Sequence, residues 1–249
     1  MKVKMSFENV DYNEMNEDEL SELATRYEFR GEYEKAAECL AKASELGDLL
    51  STYYLAQYYE QGNGVKQDYI KAAELYMMVY ECREPLAFAD SFMPLTPQCD
   101  AEYAVGCFYE KGLLPNSSME KAIEWFLRSV EDGGPKACFK MAKWYFDGIG
   151  VQQDYDKAAS CLSQGSNYMQ DEDEECFELA LNLLDKTETW QARILEIIGA
   201  CYENGIGVES NEEKATEYYE KSNRLFFKSR IYYSDNSEDI KSDDNNITF

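Results

Sequence analysis

Residues 145–159 read YFDGIGVQQDYDKAA, and the same pattern returns three more times along the chain. The other copies align with it without a gap: YEQGNGVKQDYIKAA at 59–73, YEKGLLPNSSMEKAI at 109–123 and YENGIGVESNEEKAT at 202–216. A pattern that returns along a chain is typical of repeat architectures, in which one small structural unit stacks on the next. The sequence therefore predicts a repeat protein.

Each copy carries the signals of a turn between two helices. A glycine stands three residues after the tyrosine, where a helix must stop, because glycine enters the left-handed backbone region without steric cost. These glycines are Gly62, Gly112, Gly148 and Gly205. A side chain that can cap a following helix stands four residues before the shared alanine. These capping residues are Asp68, Ser118, Asp154 and Asn211.

The residues before each tyrosine predict the face along which two helices pack. A large apolar residue precedes the tyrosine by four positions and a small one by three, as in Val105-Gly106 and Ile198-Gly199. On a helix this places a knob, a notch and an aromatic knob on one face. The shared alanine lets the second helix approach the first closely. The predicted fold class is all-α, an α-solenoid of antiparallel helix pairs.

The pattern resembles the Sel1-like repeat, a relative of the tetratricopeptide repeat. The resemblance rests on Leu55-Ala56, Tyr59, Gly62, Gly64-Val65, Asp68 and Lys71-Ala72-Ala73 with their counterparts. It implies a right-handed superhelix in which the first helix of each pair lines the concave side. In the copy at 109–123, Leu114-Pro115 replaces Gly-Val, which leaves its loop geometry open. An earlier segment, 19–47, has a shorter turn and is similar to an ordinary tetratricopeptide repeat.

The pattern and the local composition predict one solenoid with weakly structured ends. The expected organisation is a flexible segment at 1–16, a solenoid over 17–232 and a disordered acidic tail over 233–249. Repeats are expected at about 19–47, 49–82, 100–134, 135–165 and 192–223, with insertions at 83–99 and 166–191. The first insertion is either a packed segment or a partner-binding loop. The second is either a degenerate repeat or an extra helix, and residues 224–232 are expected to form a capping helix.

The charge balance separates classes of partner. Lys and Arg number 24 against 49 Asp and Glu, which gives a formal net charge of −25. Such a field repels nucleic acid and anionic membranes and attracts basic proteins, although it also serves solubility alone. We expect a protein partner, no nucleic acid and no membrane. Residues 1–20 lack the apolar core of a secretory signal, so a cytoplasmic protein, monomeric or weakly oligomeric, is expected.

The sequence offers no set of residues for catalysis. It has no histidine, which excludes Ser-His and Cys-His pairs and the usual zinc sites. The Gly-x-Gly turns lie between predicted helices, whereas a dinucleotide-binding loop follows a strand. We expect no enzymatic activity, no cofactor and no metal, and we expect the acids at 171–175 to begin a helix rather than bind a cation. The 8 cysteines lack a Cys-x-x-Cys pair and are expected to be free thiols.

By the same resemblance, positions six before, two before and one after each tyrosine line the concave groove. The candidates for partner binding are Tyr53, Gln57, Glu60, Tyr103, Glu110, Phe139, Lys143, Phe146, Glu196 and Glu203, and the same rule also gives Cys107 and Ala200. Aromatic rings with acids at intervals suit a basic segment that bears apolar side chains. The alternative is that Tyr53, Tyr103 and Phe139 are packed between helices.

Two functions are compatible with such a groove. The first is a scaffold or adaptor that binds a basic, partly apolar protein surface, which is the usual role in the family that the pattern resembles. The second is a dedicated inhibitor, such as an immunity protein that neutralises a basic toxin or nuclease. The net charge of −25 favours the second more than an average adaptor would.

Overall fold

The computed structural model describes residues 12–81, 97–166 and 174–239. Within these ranges every regular element is a helix and none is a strand, so the prediction of an all-α helical solenoid is confirmed. None of the helices described is both long enough and apolar enough to cross a membrane. The chain divides into two compact units, Met1–Gly134 and Pro135–Phe249, which are described separately below.

The first unit consists of three helix pairs preceded by a short 3₁₀ turn at Tyr12–Glu14. The helices are α1 (Glu17–Phe29), α2 (Tyr33–Glu45), α3 (Leu49–Gln61), α4 (Tyr69–Glu81), α5 (Pro97–Glu110) and α6 (Met119–Glu131). Each odd-numbered helix packs on the next one, and α2 on α3 and α4 on α5 join neighbouring pairs. One continuous apolar core, from Leu23 to Trp125, runs between them.

The second unit contains two helix pairs with one extra helix between them. Its helices are α7 (Pro135–Asp147), α8 (Tyr155–Gly165), α9 (Glu174–Leu183), α10 (Gln191–Asn204) and α11 (Glu212–Asp239). The pairs are α7 with α8 and α10 with α11, and α9 packs on α8 and α10. Of the two alternatives for residues 166–191, the structure therefore has the extra helix, and it begins among acids that favour a helix N-terminus.

The turns inside the pairs have the predicted geometry. The first glycine of each turn has a positive φ: 77° at Gly62, 71° at Gly112, 73° at Gly148 and 76° at Gly205. The copy that lacks the second glycine closes its loop with Asn116, at φ 54°, the one non-glycine residue with positive φ in the described ranges. Asparagine tolerates this region better than most residues. Asn116 therefore supplies the positive φ in the loop whose geometry the sequence left open.

All four predicted capping residues cap the helix that follows them. Each side chain accepts a hydrogen bond from the backbone N–H three residues later, which satisfies a donor that the helix itself leaves unpaired. The pairs are Asp68 with Lys71 at 3.1 Å, Ser118 with Lys121 at 3.3 Å, Asp154 with Lys157 at 3.0 Å and Asn211 with Lys214 at 2.9 Å. The second helix of each pair therefore begins where the sequence predicts.

The small residues of the first helices form real notches. A Cβ atom on Gly106 would lie 2.6 Å from the Phe126 ring, and one on Gly199 would lie 2.8 Å from the Tyr219 ring. Both distances are shorter than any carbon–carbon contact that packed proteins tolerate. The aromatic ring of the second helix thus occupies the space that the glycine leaves empty.

Several boundaries differ from the expected ones. Helix α5 begins at Pro97, inside the segment expected to be irregular up to residue 99, because proline is compatible with the first turn of a helix. Helix α11 is continuous from Glu212 to Asp239, past the expected end at 232, and no Gly or Pro interrupts that stretch. Residues 224–232, expected to form a separate capping helix, are instead part of this helix.

Some expectations fall on residues outside the described ranges. They concern the segment at 1–11, most of the first insertion at 82–96, the acids at 171–173 and the tail from 240 onward. Cys82 also lies there. The other seven cysteines are free thiols in the structure, and six of them are buried.

Candidate protein-binding surface

In every copy of the pattern the lysine before the shared alanine lies over the ring of the tyrosine that opens the copy. The Nζ-to-centroid distances are 4.4 Å for Lys71 over Tyr59, 5.2 Å for Lys121 over Tyr109, 5.4 Å for Lys157 over Tyr145 and 4.8 Å for Lys214 over Tyr202. The shorter first repeat repeats the contact, with Lys35 at 5.3 Å from the Tyr27 ring. A cation over an aromatic face is attracted by the ring quadrupole. These lysines therefore join the two helices of a pair.

This lysine is part of the repeated pattern, but no role for it was predicted from the sequence. The signal was present, since lysine follows tyrosine by the same interval in all four aligned copies. The lysine positions affect the binding surface because each positive charge is held against a tyrosine ring of its own repeat. Each lysine therefore interacts within its own helix pair.

In the first unit, the predicted positions on α3 are connected to each other and to α4. Tyr53, Gln57 and Glu60 are all partly buried. The amide of Gln57 donates a hydrogen bond to the Tyr53 hydroxyl at 3.0 Å, and the Tyr53 ring centroid lies 5.7 Å from that of Tyr76. The Tyr76 hydroxyl in turn donates to the Glu60 carboxylate at 2.8 Å. The three predicted residues thus form one preorganised strip.

The predicted positions on α5 form a similar strip. Tyr103, Cys107 and Glu110 are partly buried, and the Tyr103 ring centroid lies 5.4 Å from that of Phe126 on α6. Tyr53 and Tyr103 thus both contact aromatic rings of the second helix of their own pair. Each is also partly exposed.

Asp100 belongs to this surface and was missed in the sequence. Burial is the main cause that raises the pKa of Tyr53, Tyr76 and Tyr103, and the Asp100 carboxylate raises all three further. The Asp100 carboxylate therefore acts electrostatically on all three phenol groups. Asp100 stands one helical turn before Tyr103 on α5, a spacing that the rule of three positions for each tyrosine did not include.

The face of α3 and α5 that carries these residues is called the α3–α5 face below: Tyr53, Gln57, Glu60, Asp100, Tyr103 and Glu110. Neither helix contains a Lys or Arg. Four acids lie on the two helices: Glu60, Asp100, Glu102 and Glu110. Carboxylates and phenol oxygens accept hydrogen bonds, and tyrosine rings attract cations, so this face is suited to ammonium or guanidinium groups.

In the second unit, the predicted residues on α7 are held by neighbouring helices. The partly buried Phe139 ring packs against the last turn of α8, and the Phe146 ring centroid lies 5.4 Å from that of Tyr155. Lys143 is exposed, and its Nζ lies 2.7 Å from the Glu175 carboxylate on α9. That exposed ion pair is weak in energy but neutralises the charge locally.

The predicted acids on α10 also have partners. Glu196 lies 2.8 Å from Arg193 and accepts a hydrogen bond from the Ser222 hydroxyl at 3.4 Å. Glu203 is exposed and accepts from the Tyr219 hydroxyl at 2.7 Å. Both carboxylates therefore already have partners on α10 or α11.

The first helices of the second unit have a mixed charge. The basic residues on α7 and α10 are Lys136, Lys140, Lys143 and Arg193, and the acids are Asp147, Glu196 and Glu203. Of the four first helices α3, α5, α7 and α10, only α3 and α5 thus carry acids without any basic residue. Within the described ranges, no group of three or more acids and cysteines is arranged to hold a metal ion.

The chain is similar to known helical repeat structures. It has 22% identity and a TM-score of 0.51 to a protective antigen present in uropathogenic Escherichia coli strains that displays an SLR fold, over 84% of this chain and 46% of that one. The chain thus spans less than half the length of that antigen. A Sel1 repeat protein from Oxalobacter formigenes gives 17% identity and a TM-score of 0.51, over 82% of this chain and 85% of that one.

A third structural similarity is too weak to support a conclusion about this chain. An immunity protein from Pseudomonas aeruginosa has 16% identity over 84% of this chain and 86% of that one, but its TM-score is 0.29. The family assignment rests instead on the repeats themselves. The Sel1 repeat matches residues 29–48, 49–76, 99–134, 135–167 and 197–225, which together make up more than half of the sequence. With five such repeats and the helix pairs that they form, the chain belongs to the Sel1 repeat family, whose fold is one of protein–protein interaction.

Proposed function

We propose that the chain is a scaffold or adaptor that binds a protein partner through the α3–α5 face, and that the partner presents a basic, partly apolar segment there. The observation that carries the proposal is the composition of two neighbouring first helices. They have no basic residue, two half-buried tyrosine rings and three acids on the shared face. A lysine or arginine side chain finds both ring faces and carboxylates on such a surface.

The geometry favours binding because the face is already ordered. Tyr53 is held by Gln57, and Glu60 is held by Tyr76, so little conformational entropy remains to be lost when a partner binds. Tyrosines supply a large contact area with few rotatable bonds, which is why they are common among residues that dominate binding energy. The partly buried rings therefore act as fixed contact points between acids.

The charge of the chain acts at longer range. A net charge of −25 raises the encounter rate with a basic partner and repels acidic ones. The overall field attracts without selecting a position on the molecule. Local acids at the α3–α5 face would select the position, since close contacts govern how long a complex lasts.

The test begins with capture of partners from native lysate and continues with binding kinetics on the captured protein. The first variant carries Asp100→Asn and Glu110→Gln. The matched control carries Asp147→Asn and Glu203→Gln, which removes two acids from first helices of the second unit. The net charge changes equally in both variants, so a difference between them reports position. We expect the first variant to bind several-fold more weakly and the control to bind nearly as the natural chain does.

Equal effects of the two variants would contradict the α3–α5 assignment and leave the acidity as a general property of the surface. The capture itself separates the two functions considered from sequence. An adaptor should recover several components of one assembly, whereas an inhibitor should recover a single basic protein in a fixed ratio.

A further inference from the structure

Glu102 carries a buried carboxyl group in the first unit. It lies on α5, its residue is 1% exposed, and no donor in the described part of the chain reaches either carboxylate oxygen. Glutamate is almost never fully buried unless it is paired, because removing an ionised carboxylate from water is costly. An uncompensated buried charge at this position would be strongly destabilising.

In the described ranges, the ionisable groups that act on Glu102 come from the last turn of α6 and the residue that follows it. They are Arg128, Glu131 and Asp132, two acids and one base. The base is engaged elsewhere, since Arg128 lies 2.6 Å from Glu124 and stacks over the Trp125 ring at 4.6 Å. Its positive charge is therefore already shared when it acts on Glu102.

The other helices that pack on α5 meet a different side of it. Residues two apart on a helix point in nearly opposite directions, so Glu102 and Asp100 lie on opposite sides of α5. Asp100 is the α5 acid that acts on Tyr53 of α3 and Tyr76 of α4. Within the described part of the chain, the charges that act on Glu102 therefore come from the end of α6, and they add to the effect of burial.

These observations favour the protonated form. Burial is the main cause that raises the pKa of Glu102, to about 8, and the neighbouring carboxylates of Asp132 and Glu131 add to the rise while Arg128 opposes it. A neutral acid costs much less than a charged one in such a place. The buried group can thus be accommodated as long as it keeps its proton.

We propose that Glu102 is a proton-binding site, a neutral carboxylic acid at neutral pH whose ionisation in mildly alkaline solution loosens α5 from the end of α6. The direction of the stability change follows from linkage. The unfolded chain releases this proton at the ordinary glutamate pKa, about 4.3, whereas the folded chain holds it until a higher pH. The stability that the proton contributes is complete below the unfolded pKa and is lost as the pH rises through the folded value.

The experiment compares thermal unfolding of the full chain with that of Glu102→Gln from about pH 4 to about pH 9. Glutamine has the size of the neutral acid and cannot ionise. We expect the two melting temperatures to be similar at the acid end and the variant to melt several degrees higher at the alkaline end. Glu74→Gln, at an exposed acid of α4, is the control and should run parallel to the natural chain over the whole range.

A direct measurement on the natural chain covers the case in which the glutamine variant folds poorly. Carbon-13 NMR of the glutamate side-chain carboxyl groups should show one resonance, assigned to Glu102, that titrates well above the others. Amide hydrogen exchange in α5 at alkaline pH should be faster in the natural chain than in Glu102→Gln. A Glu102 resonance that titrates near the ordinary glutamate value would overturn the proposal, as would a melting-temperature difference that does not change with pH.

Discussion

The hydroxyl of Tyr76 on α4 donates a hydrogen bond to the Glu60 carboxylate on α3, 2.8 Å away. The last pair repeats the contact with Tyr219 and Glu203 at 2.7 Å. Both tyrosines stand four residues after the shared alanine, and both acids follow the tyrosine that opens the copy. A position chosen from the sequence as a surface contact is thus also a link between the two helices of its pair.

Removing the hydroxyl should measure the stability of this link. Tyr76→Phe deletes one hydrogen bond to a charged group, and such bonds contribute roughly 1.5–3 kcal/mol. We expect a loss of this order in the free energy of unfolding, measured by urea denaturation. Tyr54→Phe is the control, since Tyr54 is 43% exposed as a residue and its hydroxyl makes none of the described hydrogen bonds that join the helix pair. Equal losses in the two variants would show that the Tyr76–Glu60 bond adds nothing specific.

The glycine notch predicts a clash that a second substitution relieves. In Gly106→Ala the added methyl would lie 2.6 Å from the Phe126 ring, so the paired helices must move apart. Overpacking of this kind costs about 1–3 kcal/mol. Phe126→Leu alone should also destabilise, because it leaves a cavity. The two changes together should cost less than their sum, as seen in a double-mutant cycle, and simple additivity would contradict the notch.

Two glycines with nearly the same backbone angle separate strain from crowding. Gly64 has φ 64°, and a Cβ on it would lie 2.2 Å from the backbone carbonyl carbon of Tyr33. Gly112 has φ 71°, and a Cβ on it would meet nothing within 4 Å. Gly112→Ala should cost about 1 kcal/mol from the positive φ alone. Gly64→Ala should cost clearly more in the same denaturation assay, and a similar cost at both sites would show that the turn moves freely away from α2.

Free thiols predict a simple chemical count. Titration of the full chain with a thiol reagent under denaturing, non-reducing conditions should find about eight thiols, one for each of the 8 cysteines. The same titration without denaturant should react slowly, because six of the seven described cysteines are buried. Prior reduction of the sample is the control and should leave the denatured count unchanged. Four disulfides would contradict the expectation of a reducing compartment.

Binding at the α3–α5 face predicts separate effects on the two rate constants. Association with the captured partner should slow as salt rises, because screening weakens long-range attraction. Tyr53→Ala and Tyr103→Ala should shorten the lifetime of the complex, since close contacts act mainly on dissociation. Tyr33→Ala, at a 42% exposed tyrosine on α2, is the matched control and should leave both rates nearly unchanged. Surface plasmon resonance at several salt concentrations measures both rates, and an association rate that is independent of salt would contradict the electrostatic part.

The helix pairs and their turns could be predicted because their causes are local. A glycine that ends a helix and a side chain such as Asp154 that caps the next one act within a single turn of the chain. The end of α11 was predicted less well, since no Gly or Pro marks it. Where a stop signal is absent, the length of a helix depends on packing and on propensities that the local sequence states only weakly.

The candidate surface depended on which helices meet. Asp100 and Glu102 are neighbours in a sequence with 49 acids, and nothing in that sequence distinguishes them. Packing places Asp100 near Tyr53, Tyr76 and Tyr103 and buries Glu102 against the end of α6. The backbone pattern of a helix is set by residues within about four positions of each other. The charge state of a side chain and its exposure to a partner are set by groups that are close only in space, so the tertiary structure alone assigns them.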